Sequence, residues 1–160
     1  MKILIAVDGS ADALQAVRYT VALVQRGLAA SLVLANVQEP ASLYEMVVVH
    51  DTDNIEDLRR QAGADLLAPA EAMLQAAGLR FESEVAGGDP QHLLVELAEN
   101  YGCQAIVLGA RGEMGSDFAT TGFGVSTSLG SVAQAVLSHS PVPVTVVRAR
   151  APGEMAGLDL

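Results

Sequence analysis

Two stretches hold the residues best placed to do chemistry. From Gly109 to Ser131 the chain reads GARGEMGSDFATTGFGVSTSLGS, six glycines and seven serines or threonines in 23 residues. Glycine at that density lets main-chain N–H groups wrap a phosphate, and it equally makes a mobile surface loop. Near the start, Asp8 closes the apolar run ILIAV ahead of Gly9 and Ser10. A carboxylate ending a buried strand can bind a ribose hydroxyl or a magnesium ion, or it can serve as a turn residue before a helix cap.

Other chemistries find little support. No GxxxxGK[ST] sequence is present, and Gly122-Phe123-Gly124 is only the first half of a GxGxxG. Ser10, Ser128 and Ser131 sit in no GxSxG elbow and have no evident histidine and carboxylate to activate them. The histidines at 50, 92 and 139 fall in a loop, a helix start and a helix end, far apart in the order of elements and without metal-ligand spacing to Cys103. For His92 and His139 the plain reading is a solvated helix end, and for Cys103 a small residue opening a strand.

Those stretches must be positioned by something, and 160 residues suit one domain. Nine basic against nineteen acidic residues give a net charge of −10, and Lys2 is the only lysine. There is no basic stripe for a nucleic-acid backbone or an anionic membrane. Hydrophobic residues reach 51% and charged residues only 18%, which points to apolar surface shared in an oligomer. Met1-Lys2 leads straight into a run too short for a signal sequence or a membrane span, so the expected location is cytoplasmic.

The elements alternate. Ile3 to Val7 reads as a strand buried on both faces. Ser10 then caps a helix over Ala11 to Gln25, with Leu14, Val17, Val21 and Val24 as its apolar positions and Gly27 as its stop. Ser31 to Val37 is a second strand. Met46 to Val49 is an extra short strand or a tucked loop. A second helix spans Ile55 to Ala77 with Leu58, Ala62, Leu66, Ala70, Met73 and Leu74 toward the sheet, and Pro69 predicts a kink or a break. Leu79 to Val85 is an edge-side strand, and Asp89-Pro90 starts a helix that stops at Gly102. Ala105 to Leu108 is the fourth strand. A last helix carries Val132, Ala133, Val136 and Leu137, and Val142 to Val147 is the fifth strand. Five strands alternating with four helices describe an α/β fold, a doubly wound parallel sheet covered on both faces in three layers. Ligands of such sheets bind beyond the carboxyl ends of the strands, where the turns at Ala6 to Ser10 and from Gly109 onward meet.

With KILIAVDGS, Asn36-Val37, GGDP, AIVLGARG and GSVAQAVLSHSPVPVTVV in this order, residues 1–148 resemble the universal stress proteins, leaving 149–160 as a loose tail. The resemblance implies a Rossmann-like five-stranded sheet in the order 3-2-1-4-5 and a homodimer joined through the last strand, Val142 to Val147. One branch of that family binds ATP through Gly, two residues, Gly, nine residues, then Gly with Ser or Thr. By resemblance Gly109 and Gly112 are the first pair and Gly130-Ser131 the last. Here 17 residues separate Gly112 from Gly130, so the extra segment is a lid over the phosphates or an insertion that fills the site. Gly130, Ser131 and Val132 still open a helix whose free N–H groups and dipole can hold an anion. The adenine and ribose positions carried over are Ala6, Val7, Asp8, Val37, Leu108 and Gly109. Val7 and Val37 would flank the base and offer backbone groups to its edge. Asp8 is the candidate contact to the Mg2+ of Mg-ATP, and Arg111 adds a phosphate contact or faces water.

The expectation is therefore a regulatory module binding ATP, or ADP or AMP, that reports to a protein partner. The alternative is a dimeric interaction protein that binds no nucleotide and uses the glycine-rich segment for docking. As an enzyme it would be at most a slow ATPase, for want of a base or a lysine or arginine cluster.

Overall fold

A computed structural model describes residues 1–39, 52–112 and 129–149. In it the ILIA run becomes the middle of a parallel sheet. Strand β1 (Lys2–Ala6) lies between β2 (Ser31–Gln38) and β4 (Ala105–Gly109), with β3 (Phe81–Gly87) and β5 (Val144–Val147) at the edges. The order is β3-β2-β1-β4-β5 and every pairing is parallel. Branched side chains on both faces of β1 suit a central strand, and Ile3, Leu4 and Ile5 are buried. The fifth strand starts two residues later than expected. The Ser140 hydroxyl ties down both the N–H and the carbonyl of Val142, and Pro143 pairs only through its carbonyl.

The helices are α1 (Ala11–Gln25), α2 (Thr52–Ala76), α3 (Pro90–Asn100) and α4 (Ser131–His139). Local chemistry sets most of their ends. The Ser10 hydroxyl accepts from the Ala13 N–H at 3.1 Å, and Asp89 accepts from the Gln91 N–H at 3.0 Å ahead of Pro90. Gly27 closes α1 at φ +113°, a conformation that favours glycine.

Helix α2 departs from expectation in its packing face. Its 25 residues run through Pro69 without the break that was one of the two expected outcomes there. Pro69 and Asp65, whose carbonyl the proline leaves without a helical donor, both lie on the exposed side. The buried stripe is Gly63, Leu67, Ala70 and Leu74, whereas Leu58 is 61% exposed and Ala62 also faces solvent. Gly63 decides this: a β-carbon there would collide with Val85 and come within 3.0 Å of Asn36 Oδ1, so its bareness lets α2 sit against β2 and β3.

Helices α1 and α2 bury Ala16, Val17, Leu67 and Leu74 against Ile3, Ile5, Leu32 and Leu34 on one face. On the other, α3 and α4 bury Leu94, Leu97, Ala133 and Val136 against Leu4, Val33, Ile106 and Leu108. Each fully buried aliphatic side chain contributes about 1.5–3 kcal/mol. No helix among the described residues is long and apolar enough to cross a membrane. The expected features at Met46 to Val49, in the glycine-rich segment 113–128 and in the tail from 150 lie outside the described residues.

Candidate functional site

Winding reverses at β1. The chain leaves β1 toward β2 and β3, then returns to β4 and β5, so α1 and α4 depart from neighbouring strands onto opposite faces. Their divergence opens a cleft of about 500 Å³ beyond the carboxyl ends of the strands. Ala6, Val7, Asp8, Val37, Leu108, Gly109, Arg111, Gly112, Gly130, Ser131 and Val132 all line it, together with Asn36, Gln38 and Glu39 from the end of β2 and Pro90 from the start of α3.

One wall is main chain. Strand β1 pairs with β2 only as far as Ala6 opposite Ala35, and the Val7 N–H then donates to the Ala35 carbonyl at 2.8 Å. Buried Asn36 donates from Nδ2 to the Val7 carbonyl at 2.8 Å and accepts from Gln38 Nε2 at 2.6 Å. The Val7 N–H is thus engaged within the protein and its carbonyl already accepts one bond, which leaves that carbonyl one further lone pair beside the cleft. Val37 differs. Ala35 faces β1, and Gln38 faces β3, where its carbonyl accepts from Gly88 N–H at 2.9 Å. Alternation along the strand turns the N–H and carbonyl of Val37 toward the β1 side, past the point where β1 has ended.

The opposite wall is the start of α4. Gly130 donates its N–H to the Ala110 carbonyl at 2.7 Å, and no side chain caps the helix. The N–H groups of Ser131, Val132 and Ala133 therefore have no partner inside the helix, at the positive end of its dipole. A β-carbon on Gly130 would lie 3.3 Å from the Ala110 carbonyl oxygen, and one on Gly112 would lie 3.0 Å from Asp8 Oδ2. Gly109 has a different task. Its missing β-carbon leaves room for the first turn of α1, whose Ala13 nitrogen would be 2.8 Å away, while the residue itself still lines the cleft.

Asp8 does both of the things its position suggests. Its Oδ1 accepts from the Ser10 N–H at 2.9 Å, the turn role, while Oδ2 looks across the cleft mouth to Gly112. Among the described residues no group of three or more His, Cys, Asp or Glu side chains is arranged to hold a metal ion. A cation at Asp8 would have to arrive with a ligand supplying further oxygens.

Two residues matter here that sequence reading passed over. Asp12 accepts from the Arg111 N–H at 3.1 Å and from the Ala149 N–H at 2.8 Å, so one carboxylate ties the turn after β4 to the chain leaving β5. Asn36 is the second. Their partners are 99, 137 and 29 residues away, so no local spacing announces them.

Away from the cleft, Tyr101 donates to Glu84 Oε2 at 2.6 Å, a bond that, with burial, pushes its phenol up to about 12. Burial also raises the Cys103 thiol, an inert setting. His92 and His139, far apart in the order of elements, meet in space, their ring centres being 6.1 Å from each other.

The sequence profile described as the universal stress protein family matches residues 1–148. The chain belongs to the universal stress protein family. Universal stress protein YxiE of Bacillus subtilis is 30% identical over 153 residues, covering 92% of this chain and 98% of the relative. The solved structure of hypothetical protein MJ0577 superposes with a TM-score of 0.75 at 23% identity over 94% of this chain and 97% of that one. A universal stress protein solved in complex with cAMP is 25% identical, with a TM-score of 0.60 over 92% and 95% of the two chains. In this universal stress protein the sheet order read from the resemblance is the order found.

Proposed function

We propose that this universal stress protein is a regulatory module that binds an adenine nucleotide, ATP with Mg2+, in the cleft between the turns after β1 and β4. The observation that carries the reading is the pairing of two unlike walls. The outward-facing N–H and carbonyl of Val37 match the donor and acceptor edge of an adenine. Across from them, the uncapped start of α4 beside Gly112 and Gly130 suits a phosphate. Asp8 Oδ2 lies between, suited to a ribose hydroxyl or to Mg2+ held by phosphates. The family member solved with cAMP makes an adenine ligand chemically consistent with this architecture.

Turnover would be slow at best. The only lysine, Lys2, is at the amino end of β1 and pairs with Glu82, remote from the cleft. Nucleotide binding therefore serves to favour one conformation over another, which requires unequal affinity for the two. We further propose a homodimer through β5, an edge strand whose outer side has no neighbouring strand among the described residues. The dimer would present the nucleotide state to a protein partner in the cytoplasm.

The deciding experiment is an equilibrium titration of purified protein with ATP, ADP, AMP and cAMP in Mg2+, followed by melting. Saturable binding is expected, with stabilisation of about 2.7 kcal/mol at a hundred times the dissociation constant. Absence of both saturation and any melting shift would favour the second reading, an interaction protein whose 17 residues between Gly112 and Gly130 serve docking.

A further inference from the structure

Helices α3 and α4 bring together two imidazoles that the sequence separates by 47 positions, His92 in the first turn of one and His139 at the end of the other. Their centres are 6.1 Å apart and their planes are tilted by 46°. Both rings are exposed, yet each is oriented by one hydrogen bond. His92 Nδ1 lies 2.9 Å from Asp89 Oδ2, and His139 Nδ1 lies 2.8 Å from the Ala135 carbonyl oxygen. Carboxylate and carbonyl oxygens can only accept, so in each neutral ring Nδ1 carries the proton. Each Nε2 is left with its lone pair. A ligating histidine commonly has this arrangement, its second nitrogen donating to a carboxylate or a backbone carbonyl.

From this geometry we propose that His92 and His139 form a two-histidine site for a borderline divalent transition ion of the zinc class, clamping the first turn of α3 to the last turn of α4. With metal–nitrogen bonds of about 2.0–2.1 Å, two rings ligating through Nε2 have centres roughly 5–6 Å apart, depending on the angle at the metal. The observed separation is at the upper edge of that range, and exposed side chains can close the remainder. No third histidine, cysteine or carboxylate completes the set among the described residues, so water or a donor from another molecule fills the remaining positions. Imidazole ligands favour zinc, copper and nickel over magnesium or calcium, which separates this site from any ion at Asp8. Neither ring lines the cleft, although Pro90, two residues before His92, does, and Zn2+ binding is read without nucleotide, so this site and the nucleotide reading can fail separately.

Zn2+ is the probe. Calorimetric titration of the full chain should show one saturable ion per chain and a melting temperature that rises with Zn2+ and returns with a chelator. His92→Ala and His139→Ala should each weaken binding at least about tenfold, and Asp89→Asn by a smaller factor because it loses only the orienting charge. His50→Ala should bind as the parent does. His92→Gln and His139→Gln, similar in reach, repeat the test should an alanine variant fail to fold. Unchanged Zn2+ binding in the double variant, dependence on only one of the two rings, or no saturable binding to the parent protein would each overturn the proposal.

Discussion

The two ends of the sheet are finished in opposite ways. At the amino end, side chains satisfy one another: Lys2 Nζ reaches Glu82 at 3.5 Å and sits 5.2 Å above the Tyr101 ring, whose hydroxyl is bonded to Glu84. Cys103 lies buried beneath. At the carboxyl end the walls are largely main chain and glycine, and the side chains of Asn36 and Asp12 hold backbone in place rather than closing the space. The lesson is that polarity alone does not mark a site. Both ends are polar, but among the described residues it is the carboxyl end that sets the main-chain groups of Val37 opposite the uncapped start of α4 across an open cleft.

Substitutions that block the open end, set beside one that loosens the closed end, test that contrast. Gly130→Val should act most strongly, lowering nucleotide affinity about a hundredfold, or near 2.8 kcal/mol, by filling the approach to the start of α4. Calorimetry reads the affinity, and melting should show a cost of only about 1 kcal/mol. Asp12→Ala removes two bonds to a charged acceptor, so denaturant unfolding should report a loss of about 2 kcal/mol, accompanied by weaker nucleotide binding. Asp8→Asn keeps an oxygen for the Ser10 N–H and should leave stability within about 0.5 kcal/mol, while Mg-nucleotide affinity falls about fivefold, or 1 kcal/mol.

Tyr101→Phe should be the mildest at neutral pH, costing under about 1 kcal/mol because the bond is partly solvated, with nucleotide affinity unchanged. Its signature is alkaline. The folded phenol is raised to about 12 from the usual 10.0 of a free tyrosine, so its contribution is complete below pH 10 and lost as pH climbs through 12. Stability curves of the parent and Tyr101→Phe should converge across that window. An affinity loss in Tyr101→Phe comparable to that of Asp12→Ala would erase the distinction between the two ends.

Legibility in the sequence followed the range of each interaction. Caps at Ser10 and Asp89, the proline at Pro90 and the glycine at Gly27 act over three or four residues, and they set α1 and the start of α3 where spacing had put them. The cleft-lining residues were named from the meeting of two turns and the family resemblance, and the structure assembles them around one space. What was missed needed contacts across the fold. The face of α2 is chosen by Gly63 against Val85, and alanine-rich turns give too weak a stripe to reveal it. Asp12 and Asn36 look like ordinary polar residues until their distant backbone partners are known. His92 and His139 meet only because α3 and α4 share one face of the sheet.

Strand β2 continues two registered pairs with β3 beyond Asn36, while its pairing with β1 has already stopped at Ala35. That unequal length makes the recess: had β1 been extended by strand-forming residues in place of Asp8-Gly9, the ladder would zip onward and consume the edge at Val37. The capacity to accept a guest molecule is thus encoded as an early stop, and lengthening one strand would be enough to turn a receptor into a sealed scaffold.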